Sequence, residues 1–197
     1  STQSRSSAAS DVYKRQLPGH TAGVLCCAAS STWSIAVTGS ADHSVIVWDL
    51  NRCRFVRQLK EPDQPIQLVA IDDQRGWIAA AAGSEVWVWS INGFLLVHQS
   101  TRSATNDPPS SMTFVARDFH VDKLGVLVTG HRDCIVMWDI VSNHARATPP
   151  RWRLEKNTVL SLRQSSKATC LYMPNTSTLC TGHEDGEVYV WTLPGAA

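Results

Sequence analysis

The stretch TGSADHSVIVWD, residues 38–49, decides the fold of this chain. The same pattern of Thr-Gly, an Asp and an apolar run ending in Trp returns as TGHRDCIVMWD at 129–139 and as TGHEDGEVYVW at 181–191. Three copies in a chain of 197 residues are better explained by one structural unit used repeatedly than by three active sites.

The spacing of the tryptophans predicts the architecture. Alternating apolar runs end at Trp48, Trp89, Trp138 and Trp191, with separations of 41, 49 and 53 residues. A period of about 40–45 residues with four strands per unit is typical of the blades of a β-propeller. We therefore predict an all-β fold with about four visible blades, each a four-stranded antiparallel sheet. The repeats should end near residues 50, 91, 140 and 193, with these tryptophans buried on the third strands.

Polar segments interrupt the repeats. Residues 100–110 and 141–168 are predicted to be insertions between blades, with short helical pieces only within 151–166. Residues 1–16, STQSRSSAASDVYKRQ, have no apolar repeat, and their end resembles a translated library adaptor. We assign 1–16 to a non-native or disordered tail and 17–197 to the propeller. The alternative is a native tail whose VYKRQL forms one strand.

Composition argues against several classes of protein. The charges nearly cancel, with 18 Lys+Arg against 17 Asp+Glu, so no global field attracts nucleic acid. The six cysteines contain no C-x-x-C pair, which disfavours a zinc site or a disulfide framework. No apolar run is long enough to span a membrane, and no secretory signal is visible. We expect a cytoplasmic chain without nucleic-acid partners, membrane insertion, metal or cofactor.

The first repeat resembles the WD-repeat family. PGHTAGVLCCAASSTWSIAVTGSADHSVIVWDL, residues 18–50, carries a Gly-His near its start and Trp-Asp near its end. The resemblance implies that a histidine, a hydroxyl, a carboxylate and an indole form one hydrogen-bonded chain that locks the blade. These residues are His20, Thr38, Asp42 and Trp48.

The later repeats keep only part of this set. The hydroxyl, carboxylate and indole return without a Gly-His, as Thr129, Asp133 and Trp138 and as Thr181, Asp185 and Trp191. We expect His131 and His183, beside the turns, to be exposed polar residues and not metal ligands. The repeat ending at Trp89 has Ala81 at the hydroxyl position and no turn Asp.

The order of the irregularities is more specific. WSINGFLLV from Trp89 is followed by a Pro-containing insertion, VLVTGHRDCIVMWDI, a long polar loop and GHEDGEVYVW. Over residues 17–193 this order resembles the C-terminal WD-repeat region of BEACH-domain proteins. The resemblance implies a larger propeller whose early blades precede this part, and upstream BEACH and PH-like modules. It also implies a scaffold in membrane trafficking that associates peripherally with endosomal or other vesicle membranes through those modules.

Three functions compete for this fold. The first is a non-catalytic protein-interaction scaffold, and the second is a WD-repeat substrate or adaptor subunit of another complex. The third and weakest is an enzymatic or ligand-binding propeller. Ser/Thr, His and Asp are the residue types of a hydrolase triad, but here a Trp completes each set. The remaining polar candidates show no repeated placement, namely Asp72, Asp73, Asp118 and His120.

Two basic segments could contact partners. Arg52, Arg54, Arg57 and Lys60 could bind phosphate, although a solvated outer strand explains them better. Arg151, Trp152 and Arg153 lie in the longest insertion, and Arg and Trp are the residue types that most often dominate protein interfaces. We predict a protein contact at these three residues. The alternative is that Trp152 folds back and covers a blade edge.

Overall fold

Every regular element in the described part of the chain is a β-strand. The computed structural model describes residues 15–101, 107–115, 125–142, 152–162, 166–173 and 177–193. These residues form four antiparallel sheets, each built from consecutive strands. The predicted all-β fold with about four blades is confirmed. No helix of the length and hydrophobicity needed to cross a membrane occurs in these ranges.

The sheets follow one another along the chain. The first contains β1 (Val24–Ser30), β2 (Ile35–Ser40), β3 (Val45–Asp49) and β4 (Arg54–Leu59). The second contains β5 (Leu68–Asp72), β6 (Trp77–Ala82), β7 (Glu85–Trp89) and β8 (Leu95–Ser100). The third contains β9 (Ser111–Val115), β10 (Gly125–Gly130), β11 (Cys134–Ser142) and β12 (Trp152–Ser161). The fourth contains β13 (Ala168–Tyr172), β14 (Thr178–His183) and β15 (Val188–Thr192).

Short turns fix the strand registers. The tightest hairpin in the second sheet joins β6 to β7 through Gly83 and Ser84, and Gly83 has a φ of 56°. Two-residue hairpins require this left-handed backbone, which glycine adopts at little cost. The turn between β5 and β6 begins at Asp72, whose carboxylate accepts the backbone N–H of Gln74. The sequence IDD at 71–73 therefore leads into the turn that joins these two strands.

The two faces of each sheet have different roles. The tryptophan face carries Trp48, Trp89, Trp138 or Trp191, and the opposite face carries the residue before each tryptophan. The tryptophan face of the second sheet packs on the opposite face of the first, in a cluster that includes Trp89, Val37 and Val47. The same packing recurs between the second and third sheets and between the third and fourth. The core thus consists of three apolar layers between successive sheets.

The fourth sheet departs from the prediction. It has three strands among the described residues, not four. Trp48, Trp89 and Trp138 are 3%, 0% and 4% exposed as expected, and Trp191 is more exposed than these three but still mostly buried, packed against the apolar layer between the third and fourth sheets. In each of the other sheets a fourth strand pairs with the strand that carries the tryptophan, and β15 has no such neighbour in the described part.

The predicted insertion at 141–168 contains regular structure. Its first two residues complete β11, and Trp152–Ser161 is the ten-residue outer strand β12. The prediction of a long loop with helical pieces was wrong for these residues. An outermost strand faces water on much of its surface, so β12 needs few apolar residues, and Leu154 is its one fully buried side chain. Because of that polar composition, β12 lacks the alternating apolar pattern by which a strand is predicted from sequence.

Candidate functional site

The four residues assigned to the first blade lie together. The Trp48 indole N–H donates to the Thr38 hydroxyl over 2.8 Å, and that hydroxyl lies 2.7 Å from Nε2 of His20. Nδ1 of the same imidazole lies 3.0 Å from the Asp42 carboxylate. The segment before β1, the strand β2, the turn that follows it and the strand β3 therefore each contribute one residue to a single series of hydrogen bonds.

The direction of these hydrogen bonds follows from which atoms can donate a proton. An indole N–H only donates, so the Thr38 oxygen accepts from Trp48 and its own proton is free to point at His20. Nε2 of His20 then accepts, and the proton on Nδ1 is donated to Asp42. Each polar atom in the series has a matching partner, which a buried Trp N–H and imidazole require.

The Asp42 carboxylate also organises its turn. Oδ1 accepts the hydroxyl and backbone N–H of Ser44, and Oδ2 accepts the backbone N–H of Thr21. Burial alone would raise the pKa of Asp42, but the hydrogen bonds from Ser44, Thr21 and His20 outweigh it and hold the pKa well below its ordinary value. The carboxylate is thus a charged structural acceptor at neutral pH.

The third and fourth sheets use a different histidine. Trp138 donates to the Thr129 hydroxyl over 2.8 Å, and that hydroxyl lies 3.0 Å from Nε2 of His131. The fourth sheet repeats this with Trp191, Thr181 and His183 at 3.1 and 2.9 Å. Both histidines are buried, so the prediction that they are exposed was wrong. They occupy the role that His20 has in the first sheet, although they lie two residues after the threonine and not near the start of the repeat.

The tautomers of these histidines are determined by backbone carbonyls. Nδ1 of His131 lies 3.1 Å from the carbonyl oxygen of Asp107, and Nδ1 of His183 lies 3.2 Å from that of Ser166. A carbonyl can only accept, so Nδ1 carries the proton and Nε2 accepts from the threonine. Burial lowers the pKa of His131 below its ordinary value of 6.5. The imidazole is therefore neutral at neutral pH.

Two predicted members of the network do not contact its histidines. The role of Asp42 passes to a backbone carbonyl in both later sheets, so neither Asp133 nor Asp185 accepts from a histidine. One carboxylate oxygen of Asp133 is buried without a hydrogen-bond partner. Asp185 is exposed and accepts the backbone N–H of Glu187. The sequence predicts that the threonine, the aspartate and the tryptophan of each repeat belong to one network. The aspartate contacts the histidine of this network only in the first sheet.

The second sheet has an alanine where the other sheets have the threonine hydroxyl. This alanine lies one residue before the position predicted from the sequence. Trp48 lies opposite Ala36 and Thr38 is two residues further along β2, whereas Trp89 lies opposite Ile78. The residue that corresponds to Thr38 is therefore Ala80, and the assignment of Ala81 was wrong. Nε1 of Trp89 is buried without a hydrogen-bond partner. The hairpin of this sheet is shorter than that of the first sheet, which changes the spacing along the sequence between this position and the tryptophan.

The arrangement offers little for catalysis. The Thr129 and Thr181 hydroxyls are buried and already hydrogen-bonded to an indole and an imidazole. Asp72 is buried and paired with Arg75 over 2.7 Å at the first turn of the second sheet. Asp118 and His120 lie outside the described residues. The described residues contain no group of three His, Cys, Asp or Glu side chains able to hold a metal ion.

The predicted partner contact is only partly described. Arg151 lies outside the described residues. Trp152 begins β12 and packs edge-on against Trp77 of the second sheet, with ring centroids 5.5 Å apart. Gln99 anchors the same strand because its amide donates to the Leu154 carbonyl and accepts the Leu154 N–H, both over 3.0 Å. Trp152 therefore covers the junction between two sheets, whereas Arg153 is exposed and paired with Glu155.

The other basic segment lies on the outer strand of the first sheet. Arg52 and Arg54 are exposed and lie near the Asp49 carboxylate, at 3.7 and 3.9 Å. The Arg57 guanidinium contacts the carbonyl of Asn92 in the second sheet. These arginines follow a strand edge and do not converge on one phosphate-sized site, which agrees with the solvated outer strand expected from the sequence.

Comparison with known proteins agrees with this geometry. The model of the family "WD domain, G-beta repeat" matches residues 12–49 and 156–192. BEACH domain-containing protein A2 of Arabidopsis thaliana is 29% identical over 92% of this chain, and the human Lysosomal-trafficking regulator is 33% identical over 44%. The chain spans only 6% and 2% of the length of these relatives.

A solved structure shows the same fold. The crystal structure of the computationally designed Ika4 protein is 21% identical and has a TM-score of 0.62, with 92% of this chain and 99% of that one covered. Together with the recurring Trp–Thr–His chain, these matches confirm the resemblance drawn from the motifs. The chain therefore contains WD40 repeats in an all-β propeller fold and is similar to the BEACH-domain proteins.

Proposed function

We propose that this chain is a non-catalytic protein-interaction module, the WD-repeat part of a BEACH-type scaffold in membrane trafficking. The observation that carries the proposal is that the repeated polar residues are used in internal hydrogen bonds. Thr129, His131 and Trp138 are all buried and satisfy one another's hydrogen bonds, as do their counterparts in the fourth sheet. Residue types that could perform chemistry are used to hold sheets together, and recognition is left to surfaces and loops.

The names of two relatives support a cellular setting for this proposal. One relative is named as a BEACH domain-containing protein, and another is named as a regulator of lysosomal trafficking. We therefore place this chain in the cytoplasm, peripheral to endosomal or other vesicle membranes. The membrane contact would come from modules outside this stretch of sequence, and the propeller would present protein-binding surfaces.

The exposed start of β12 is our candidate for a protein contact. Arg153 is exposed on a strand whose position is fixed by Gln99 and by the Trp152–Trp77 contact. A rigid platform reduces the entropy lost when a partner binds, which favours recognition there. Arg151 adds a second positive charge next to Trp152, so a partner with an acidic segment fits this site.

The test separates recognition from folding. The double variant Arg151→Ala/Arg153→Ala should lose partners that co-purify with the wild type from a cytosolic extract and should keep the wild-type melting temperature. The matched control is Arg52→Ala/Arg54→Ala, which removes two exposed arginines from the outer strand of the first sheet. Equal loss of partners in both variants would show a general charge effect and would contradict the site.

A second experiment addresses catalysis. Thr38→Ala and Asp42→Ala should lower the melting temperature, because each removes hydrogen bonds from the series Trp48–Thr38–His20–Asp42. Neither should change labelling of the chain by reagents that modify activated hydroxyls. A variant that melts like the wild type but abolishes such labelling would favour an enzymatic propeller and overturn the proposal.

A further inference from the structure

We infer that a cleft between the third and fourth sheets binds the carboxylate of an acidic side chain from a protein partner. The site is separate from the exposed start of β12, and it rests on the proposed role of the chain as a protein-interaction module. It lies between two sheets of the array, at the end where β10 turns into β11.

Four described residues line this cleft, which has a volume of about 100 Å³: Asp107, Pro108, Arg132 and Lys167. The first two lie on the segment before β9, the arginine lies in the turn between β10 and β11, and the lysine immediately precedes β13. Three stretches that are far apart in sequence therefore meet here. Pockets for whole small-molecule ligands measure about 300–1,000 Å³, so this cleft is sized for a single side chain.

The buried histidine of the third sheet fixes the walls of the cleft. Nδ1 of His131 donates to the carbonyl oxygen of Asp107 over 3.1 Å, and the His131 carbonyl accepts the backbone N–H of Ala168 over 3.3 Å. Arg132 is the next residue in the chain after this histidine, and Lys167 is the residue before Ala168. All three charged residues are thus held by one residue that is 0% exposed. A site whose backbone is fixed in advance loses less entropy when a partner binds.

The charges that line the cleft do not cancel. Nε of Arg132 lies 3.7 Å from Oδ2 of Asp107, beyond hydrogen-bonding distance, and the two side chains are 63% and 38% exposed. Exposed pairs of this kind contribute little to stability, so the guanidinium can turn towards a ligand at little cost. Lys167 is also exposed and adds a second positive charge. The neighbouring Asp133 does not line the cleft, and one of its carboxylate oxygens is buried. The described lining therefore carries an excess of one positive charge.

The junction between the first and second sheets has the same backbone geometry. There the Ser40 carbonyl accepts the backbone N–H of Ile66 over 3.0 Å, as the His131 carbonyl accepts that of Ala168. Ser40 and His131 each lie two residues after the threonine of their sheet, so the two hydrogen bonds are equivalent. The two junctions can therefore be compared residue by residue.

This comparison shows that packing does not require the two cations. Ala41 follows the accepting carbonyl of the first junction, and Pro65 precedes the donating N–H. These uncharged residues occupy the positions of Arg132 and Lys167, and the contact between the sheets forms without either charge. Both cations of the later junction are therefore available to bind a ligand.

A carboxylate matches the cleft in charge and in size. A guanidinium can donate two parallel hydrogen bonds to a carboxylate, and an ammonium group supplies further donors. One carboxylate balances the excess of one positive charge, whereas a phosphoryl group carries about two negative charges and would leave an excess negative charge beside Asp107. The exposed ring of Pro108 offers an apolar wall for the methylene groups of a Glu or Asp side chain. The ligand is thus an acidic residue of a partner polypeptide.

A nuclear magnetic resonance titration tests the site. The probe is the peptide Gly-Glu-Glu-Gly with blocked ends, added to the nitrogen-15-labelled 197-residue chain, and its matched control is the neutral peptide Gly-Gln-Gln-Gly. The acidic peptide should shift the backbone amide signals of residues 131–133 and 167–168 until they saturate, and the neutral peptide should shift none of them. Unchanged signals with the acidic peptide would overturn the proposal.

Variants identify the groups that bind. Arg132→Ala/Lys167→Ala should weaken binding of the acidic peptide about tenfold or more, and the melting temperature should not change because both side chains are exposed. Lys167→Arg keeps the positive charge and should keep the binding. The matched control Arg52→Ala/Arg54→Ala should bind as the wild type does. An equal loss in this control would show a general charge effect and would overturn the site.

Two further outcomes separate this inference from its alternatives. Tighter binding of inorganic phosphate than of the acidic peptide would overturn the assignment of a carboxylate ligand. Peptide shifts that disappear in Arg151→Ala/Arg153→Ala would place the acidic contact at β12 and overturn the cleft. The titration needs no co-purified partner, so a failed co-purification contradicts the proposed function alone.

Discussion

Replacing Thr129 with valine tests the physical role of the repeated Trp–Thr–His chain. Valine has nearly the same shape as threonine, so the surrounding packing should be kept. Two hydrogen bonds disappear, one accepted from Trp138 over 2.8 Å and one made to Nε2 of His131 at 3.0 Å. The indole N–H and the imidazole nitrogen are then left in an interior where Thr129 and His131 are 0% exposed.

The expected cost follows from those two unpaired groups. Each buried polar group without a partner costs about 1–3 kcal/mol. Partial relaxation of the His131 ring reduces the sum, so we expect Thr129→Val to lower the free energy of unfolding by about 2–4 kcal/mol. Thr38→Val should cost less, because Thr38 lines an open groove and water can reach its partners.

Urea unfolding followed by tryptophan fluorescence measures the effect, provided that the slope with urea stays constant. Thr129→Ser is the matched control, since it keeps the hydroxyl and loses one methyl group, worth about 1 kcal/mol. The reasoning is refuted if Thr129→Val is as stable as Thr129→Ser or more stable. That result would mean that the hydrogen bonds contribute nothing beyond packing.

Three further predictions use other residues of the same sheets. Ala80→Ser should raise the free energy of unfolding by about 0.5–1.5 kcal/mol in urea unfolding, because it supplies an acceptor for the buried Trp89 indole; Ala81→Ser, on the other face, should bring no gain, and the reverse order would contradict the register. Because burial lowers the pKa of His131 below 6.5, the unfolded chain takes up a proton there that the folded chain resists, so stability should fall as the pH drops below about 6.5. His131→Gln should flatten that part of the pH profile measured by thermal melting, and an unchanged slope would show that His131 does not titrate as inferred. Trp152→Ala should lower the melting temperature, since the edge-on contact with Trp77 adds about 0.5–1.5 kcal/mol beyond area burial, whereas Arg153→Ala should not.

The candidate site was predictable from the sequence only where its members lie in one repeat with a full motif. His20, Thr38, Asp42 and Trp48 could be matched to the family one by one, and they meet in space. The sequence also contains a pattern that predicts the role of His131 and His183, because each histidine follows its threonine, Thr129 or Thr181, by two residues. Those two repeats have no Gly-His at their start, which indicates that another histidine contacts the threonine.

The sequence by itself determined the number of sheets and the strand that carries each tryptophan. Period-two apolar runs and turn residues act over a few neighbouring positions, so they are visible without any long-range contact. Tertiary structure alone decided which alanine lies beside Trp89, which groups accept from His131 and His183, and that Trp152 packs on Trp77. Each of these depends on the register between strands or on a residue from another sheet. A shift of one residue moves a side chain to the opposite face, and counting along the chain does not detect it.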